Sequence, residues 1–109
     1  MTAIRLDYAA AFWEDLLRLQ EFLLAQGNPG VDAWIDTILD AVELLEKQPG
    51  IGRPMPGGLR ELIIERGHTG YLALYRYDRK RQYVRILRIR HQRECGYLEL
   101  DAADENDDF

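Results

Sequence analysis

The sequence predicts an α+β domain in which one strand and a helical hairpin precede a three-stranded antiparallel sheet. Two apolar stripes with helical spacing occupy the first half of the chain, and three apolar runs separated by short polar turns occupy the second half. Because a parallel crossover needs a dozen or more residues, the short turns predict an antiparallel meander. A chain of 109 residues suits a single core, and two cores would both be marginal.

The N-terminal half contains the first predicted strand and both predicted helices. Residues 3–7 alternate apolar and polar side chains, as a half-buried strand does. A helix is predicted from about Tyr8, with Asp7 as its cap and Gly27 at its end. An asparagine and a proline at residues 28–29 predict the start of the second helix. The two apolar stripes are Phe12, Leu16, Leu19 and Leu23, and Val31, Ile35, Ile38, Val42 and Leu45.

The second half begins with a loop and continues with the three predicted strands. Residues 49–58 hold three of the four prolines and four of the nine glycines, which predicts a loop with a fixed path. In the last strand the alternation slips at Ile86 and Leu87, which indicates either a central strand covered on both faces or a bulge. The predicted strands are residues 59–65, 71–77 and 83–90.

Charge is segregated along the chain, although the net charge is only −5. Residues 1–52 carry −6, residues 53–98 carry +7, and residues 99–109 carry −6. Twelve of the 14 basic residues are arginine, which favours planar contacts with phosphate or carboxylate groups. We expect one surface that meets an anion or an acidic partner, the alternative being a solvated arginine-rich face.

Domain organisation and location follow from composition. We expect one folded domain over residues 1–98 and an acidic tail over residues 99–109, which is disordered because its end has little apolar content. No apolar run is long enough for a membrane span, no signal peptide is visible, and Cys95 is the single cysteine. These features predict a cytoplasmic protein. No metal-ligand spacing or nucleotide-binding fingerprint occurs, so we expect neither a metal nor a cofactor.

Five segments resemble those of a known family: Leu44-Leu45, Pro49 to Pro54, Gly58 to Leu62, Gly70 to Tyr77 and Val84 to Glu94. They resemble the ParE-type toxins of the RelE/ParE superfamily, and the likeness as a whole covers about residues 3–98. The resemblance implies a RelE-like fold and the toxin role in a type II toxin–antitoxin pair, with a cognate antitoxin as partner. It also implies one of two targets, DNA gyrase for ParE-like members or ribosome-bound mRNA for RelE-like members.

The choice between the two targets depends on the chemistry of the C-terminal half. RNA cleavage needs proton-transfer groups and cations around the phosphate, and His91 and Tyr97 are the candidates for proton transfer. Against cleavage, only two lysines are present, the chain is acidic overall, and residues 90–94 look closer to the ParE branch. The sequence therefore favours a non-enzymatic gyrase inhibitor, with a ribosome-dependent endoribonuclease as the alternative.

The candidate binding residues are arginines of the basic segment. We expect the antitoxin to lie in a groove where the helical stripes meet the sheet, flanked by Arg76, Arg85 and Arg88. An acidic, amphipathic antitoxin segment would match the +7 charge of residues 53–98. The candidates for binding the target or the antitoxin are Arg60, Arg76, Arg85, Arg88, Arg90 and Arg93.

Overall fold

The computed structural model describes residues 3–27, 30–66 and 69–92. Within these residues two helices and five strands follow one another in the order β-α-α-β-β-β-β, which confirms the predicted α+β class and the helical hairpin. The elements are β1 (Arg5–Tyr8), α1 (Ala10–Ala25), α2 (Val31–Glu43), β2 (Arg53–Met55), β3 (Leu59–Arg66), β4 (Thr69–Asp78) and β5 (Tyr83–His91), with 3₁₀ turns at Leu44–Glu46 and Pro56–Gly58.

All five strands form one sheet in the order β1-β5-β4-β3-β2. The predicted meander is β3-β4-β5, and the N-terminal strand β1 joins it by parallel pairing with β5. The sequence did not predict β2, which pairs with β3 inside the proposed loop of residues 49–58. A three-residue strand that contains Pro54 and is flanked by glycines has no apolar alternation by which to recognise it.

A β-bulge explains the slipped alternation in β5. Leu74 faces Arg88 and Tyr75 faces Ile86, so Leu87 is the extra residue on β5. The strand is also central, between β1 and β4, and Ile86 and Leu87 are both buried. Both interpretations of the sequence pattern are therefore confirmed.

The two helices pack against one face of the sheet and bury both apolar stripes there. Within the second stripe Ile35 is only half-buried, and Trp34 is buried beside it. Three aspartates at four-residue spacing, residues 32, 36 and 40, are exposed. The core cluster contains Phe12, Leu16, Leu19, Leu23, Val31, Trp34, Ile38, Val42, Leu45, Leu62, Ile64, Tyr71, Ala73, Tyr75, Val84, Ile86 and Ile89.

Both helices begin later than the sequence predicts. Asp7 does not cap α1, because its carboxylate accepts a hydrogen bond from the Tyr83 hydroxyl at 2.6 Å, and Ala9 is the N-cap without a side-chain bond. Gly30, at φ 83°, precedes α2. The proposed cap at residues 28–29 lies outside the described residues. Gly27, at φ 66°, follows the end of α1 as predicted.

The described residues end at position 92. Arg93, Cys95, Tyr97 and the acidic tail of residues 99–109 therefore lie outside them. In the part that is described, neither helix is long and apolar enough to cross a membrane.

A buried ion pair joins α1 to β5. Asp15 accepts hydrogen bonds from the Arg88 guanidinium at 2.7 and 2.9 Å and from the backbone N–H of Ile89 at 3.1 Å. The two charged residues are only 4% and 5% exposed. Removing one partner of such a pair leaves an uncompensated charge in the interior, which is far more costly than the pair itself.

We predict that Arg88→Met lowers the free energy of unfolding by about 3–5 kcal/mol, because the Asp15 carboxylate stays buried without its cation. Urea denaturation measures this change. Asp36→Asn, on the exposed face of α2, is the control and should change stability by about 0.5 kcal/mol or less. Adding Asp15→Asn to Arg88→Met should recover part of the loss. A cost for Arg88→Met as small as that of the control would contradict the prediction.

Candidate binding surface

The face of the sheet opposite the helices carries four of the candidate arginines, and we call it the arginine face. Directly opposed residues of an antiparallel pair point to the same face, and successive residues of a strand alternate between faces. Three of the six sequence-predicted arginines, Arg76, Arg85 and Arg90, are therefore brought together on it, whereas the Arg88 guanidinium is bound by Asp15 of α1. The relevant pairs are Arg76 with Arg85, Leu74 with Arg88, and Leu72 with Arg90.

Arg85 is fixed at one end of the arginine face by β1. Its guanidinium donates to Asp7 Oδ2 and also lies 3.4 Å from the Tyr83 hydroxyl. The hydrogen bond from Tyr83 is the main reason that the pKa of Asp7 is lowered, and partial burial acts in the opposite direction. Arg5 stacks over the Tyr83 ring at 4.5 Å. These contacts connect the edge strand to β5 through charged and aromatic groups.

Arg88 does not present its charge to the surface. Its guanidinium is buried against Asp15, as described above. The structure therefore places this residue in the framework of the fold, whereas the sequence analysis placed it on a binding surface.

Glu61 of β3 is a buried acidic residue on the arginine face. It is fully buried and accepts a hydrogen bond from Arg53 Nε at 2.8 Å. The guanidinium of Arg90 lies 4.0 Å from the second carboxylate oxygen and donates to the carbonyl of His91 at 3.4 Å. One buried carboxylate from β3 thus lies between arginines of β2 and β5.

Arg76 lies where the arginine face meets the β4–β5 turn. It donates to the carbonyl of Gly57 at 2.9 Å and is half-buried. Beside it is an open cleft of about 360 Å³, lined by Gly58, Arg76, Tyr77, Asp78, Arg79 and Lys80. Positive charge therefore continues from the sheet into this turn.

Arg60 lies on the helix side of the sheet, opposite the arginine face, and it holds the loop before β2 in place. It donates to the carbonyl of Gly52 at 2.7 Å, while the Tyr75 hydroxyl donates to Pro49 and accepts from the Gly52 N–H, both at 2.8 Å. A Cβ at Gly52 would lie 2.5 Å from the Tyr75 oxygen, so only glycine fits there. Burial raises the pKa of Tyr75. The fixed path predicted for this loop is confirmed.

Arg60, Arg76, Arg88 and Arg93 are the arginines that could hold a phosphate in the endoribonuclease alternative, and by register His91 points to the opposite face from Arg76 and Arg88. By register it shares the helix-side face with Tyr71, and the two rings meet edge to face at 5.3 Å. Arg90, the preceding residue, points to the other face. Tyr71 is fully buried, which raises its pKa. Among the described residues no cluster of three histidine, cysteine or acidic side chains is arranged to hold a metal ion.

The prediction that the helical stripes and the arginines line one groove beside the sheet is wrong. Those stripe residues form the closed core, and the arginines expected at the rim lie on the other side of the sheet or are buried. Sequence reasoning also missed the carboxylates that hold the arginines, Asp7, Asp15 and Glu61. The available signal was an acidic side chain within an apolar pattern, as at Asp15 and Glu61.

Known proteins resemble this chain in sequence and in fold. The family described as the ParE toxin of the type II toxin–antitoxin system parDE matches residues 6–95. The protein "Toxin RelE3" of Caulobacter vibrioides is 36% identical over 80 residues, which are 73% of this chain and 85% of that protein.

Two solved structures have the same fold. One is the chromosomal ParDE toxin–antitoxin system from P. aeruginosa, with a TM-score of 0.65, 24% identity, and coverage of 81% of this chain and 95% of the other. The other is the toxin–antitoxin complex RelBE2 from Mycobacterium tuberculosis, with a TM-score of 0.51, 24% identity, and coverage of 86% and 97%. At this level of identity the likeness shows the fold alone, and it confirms the expected RelE-like architecture.

A hairpin of two helices on this five-stranded sheet, together with these matches, defines a toxin of a type II toxin–antitoxin system. The chain belongs to the ParE toxin family, within the RelE/ParE superfamily.

We predict that Asp7→Asn reduces the acid sensitivity of the fold. The folded-state pKa of Asp7 is lowered, so its contribution is present above the unfolded-state pKa and is lost as pH falls through the folded value. Urea midpoints measured from about pH 6 down to about pH 2 should fall less in Asp7→Asn than in the wild type. The exposed Asp36→Asn should follow the wild type. Parallel profiles for wild type and Asp7→Asn would show that this carboxylate has no such role.

Proposed function

We propose that this toxin arrests growth by inhibiting DNA gyrase and does not itself cleave RNA. The observation that supports this most directly is the separation of His91 from the arginine face. A ribonuclease of this kind needs a proton-transfer group and cations around the same phosphate. Here His91 and Arg90 point to opposite faces of β5, and Arg88 is buried in its ion pair with Asp15.

The arginines themselves also support a binding role over catalysis. Arg85, Arg88 and Arg53 are each held by a carboxylate of the same chain, which fixes their positions and offsets their charge. A phosphate clamp works through cations aimed at the developing charge of the substrate. Such internal pairing suits a rigid docking surface better.

The alternative is a ribosome-dependent mRNA endoribonuclease. Its support is the 36% identity with a protein named "Toxin RelE3" and the fold likeness to a RelBE2 complex. Tyr97 and Arg93, which complete the proton-transfer and clamp set in that alternative, lie outside the described residues.

We propose a cognate antitoxin as the protein partner, as in the ParDE and RelBE2 systems that share the fold. The +7 charge of residues 53–98 favours an acidic, amphipathic antitoxin segment. Arg76, Arg85 and Arg90 are the half-buried arginines of the arginine face, and we expect the antitoxin segment to meet Arg76 and Arg90, because Arg85 is already paired with Asp7.

Induced toxin should cause filamentation and an SOS response while message stays intact and translation continues at first. Purified protein should inhibit gyrase supercoiling directly. Co-expression with the small protein encoded beside it should restore growth, and the two should co-purify. Rapid cleavage of translated mRNA without gyrase inhibition would establish the endoribonuclease instead.

Substitutions at His91 separate the two mechanisms at residue level. Under our proposal both His91→Phe, which keeps an aromatic ring against Tyr71, and His91→Ala retain most toxicity. Loss of a catalytic acid or base would lower activity by roughly 10²–10⁴-fold. Arg76→Glu should instead weaken target binding, with circular dichroism confirming that each variant folds. Toxicity abolished equally in both folded His91 variants would count against the proposal.

A further inference from the structure

The β4–β5 turn combines concentrated positive charge with an open cleft. Residues 76–81 hold four basic residues and one acidic residue, or +3, in a chain whose net charge is −5. The cleft of about 360 Å³ is lined by Gly58 and residues 76–80, of which Arg79 and Lys80 are exposed. A Cβ at Gly58 would meet only the Arg76 guanidinium, at 3.8 Å, so backbone alone forms this part of the lining.

Contacts inside the turn hold it in shape and leave two cations for a ligand. The backbone N–H of Arg81 donates to Asp78 Oδ1 at 3.1 Å, and its Nε lies 3.5 Å from Asp78 Oδ2. Gln82 Nε2 donates to the carbonyl of Arg79 at 2.7 Å. The acidic residue of the cleft is therefore bound within the turn itself. In the part of the chain that the structure describes, the side chains of Arg79 and Lys80 form no hydrogen bond or ion pair.

The lining favours a nucleic-acid backbone over an acidic polypeptide. Protein–protein interfaces have an apolar centre, whereas binding to a phosphodiester backbone depends mainly on cations that replace its counterions. Among the described residues that line the cleft, four are charged and none is aliphatic. A single strand is held by aromatic rings on which its bases stack, but the aromatic residue of this lining, Tyr77, packs against the core cluster. The lining therefore suits the backbone of a duplex best.

We propose that the cleft at the β4–β5 turn binds a phosphate group of duplex DNA, with Arg79 and Lys80 as the cations that contact it. The contact is independent of base sequence, because it involves the backbone of the duplex and not the base edges. It positions the toxin on the DNA that gyrase holds, a consequence that rests on the proposed function. The binding itself does not require gyrase and is measured with the toxin alone.

Titration of the full-length toxin with a short DNA duplex at low salt tests the proposal. Amide signals of residues 57–58 and 76–82 should shift, and those of α2 should not. The affinity should fall as salt is added, because each phosphate contact releases counterions. A polyglutamate peptide and a single-stranded RNA of the same sequence are the comparison ligands, and both should bind more weakly than the duplex.

The two lysines of the chain provide a matched pair of variants. Lys80→Gln and Lys47→Gln change the net charge equally and both side chains are exposed, but Lys47 follows the 3₁₀ turn after α2 and does not line the cleft. The slope of log affinity against log salt concentration should become shallower by about 1 in Lys80→Gln and should stay unchanged in Lys47→Gln.

Equal slopes in the two lysine variants, unshifted signals at the turn, or equally strong binding of polyglutamate would overturn the proposal. Tighter binding of the RNA would also overturn it and would assign the cleft to a single strand. Gyrase supercoiling is assayed separately with the same proteins. A toxin that binds DNA at the turn without inhibiting gyrase would contradict the proposed function and leave the DNA site standing.

Discussion

The Asp15 carboxylate determines how the helical layer meets the sheet. β1 pairs with β5 only as far as Tyr8 and Ile86, and beyond that point no strand of the described residues lies beside β5 on this side. Asp15 supplies the missing acceptor for the Ile89 N–H and neutralises Arg88 in the same contact. A single acidic side chain thus replaces a strand partner and sets the position of α1. A buried pair of this kind adds little net stability, whereas losing one of its partners is costly.

Much of the fold follows from local patterns, and the exceptions have physical causes. The helical stripes and the apolar runs of β3, β4 and β5 were readable because each element has one periodicity and one buried side. β2 was missed because pairing with β3, and not its own sequence, makes it a strand. Asp7 was assigned as a helix cap, although a hydroxyl from β5 and the guanidinium of Arg85 compete for the same carboxylate. Tertiary contacts decided both cases.

The sequence showed which segment carries the arginines, but it did not show which carboxylates bind them. The basic segment of residues 53–98 contains the strands β2 to β5, so the sequence placed most of the positive groups in the part of the chain that forms the sheet. The partners of those groups lie far away in sequence: Asp7 and Arg85 are 78 positions apart, and Asp15 and Arg88 are 73 apart. No local pattern encodes such a pair. His91 and Arg90 point to opposite faces because they are successive residues of β5.

The two edges of the sheet have a consequence for how this protein behaves in concentrated solution. β1 has four residues and β2 has three, and Pro54 in β2 has no amide hydrogen to offer a neighbouring strand. The molecule also exposes several large apolar side chains on α1, including Trp13, Leu17 and Leu24. These side chains favour non-specific hydrophobic association. The two short edge strands, one of which contains Pro54, provide little template for extended β-pairing. Association of such chains should therefore give amorphous or oligomeric material in preference to fibrils.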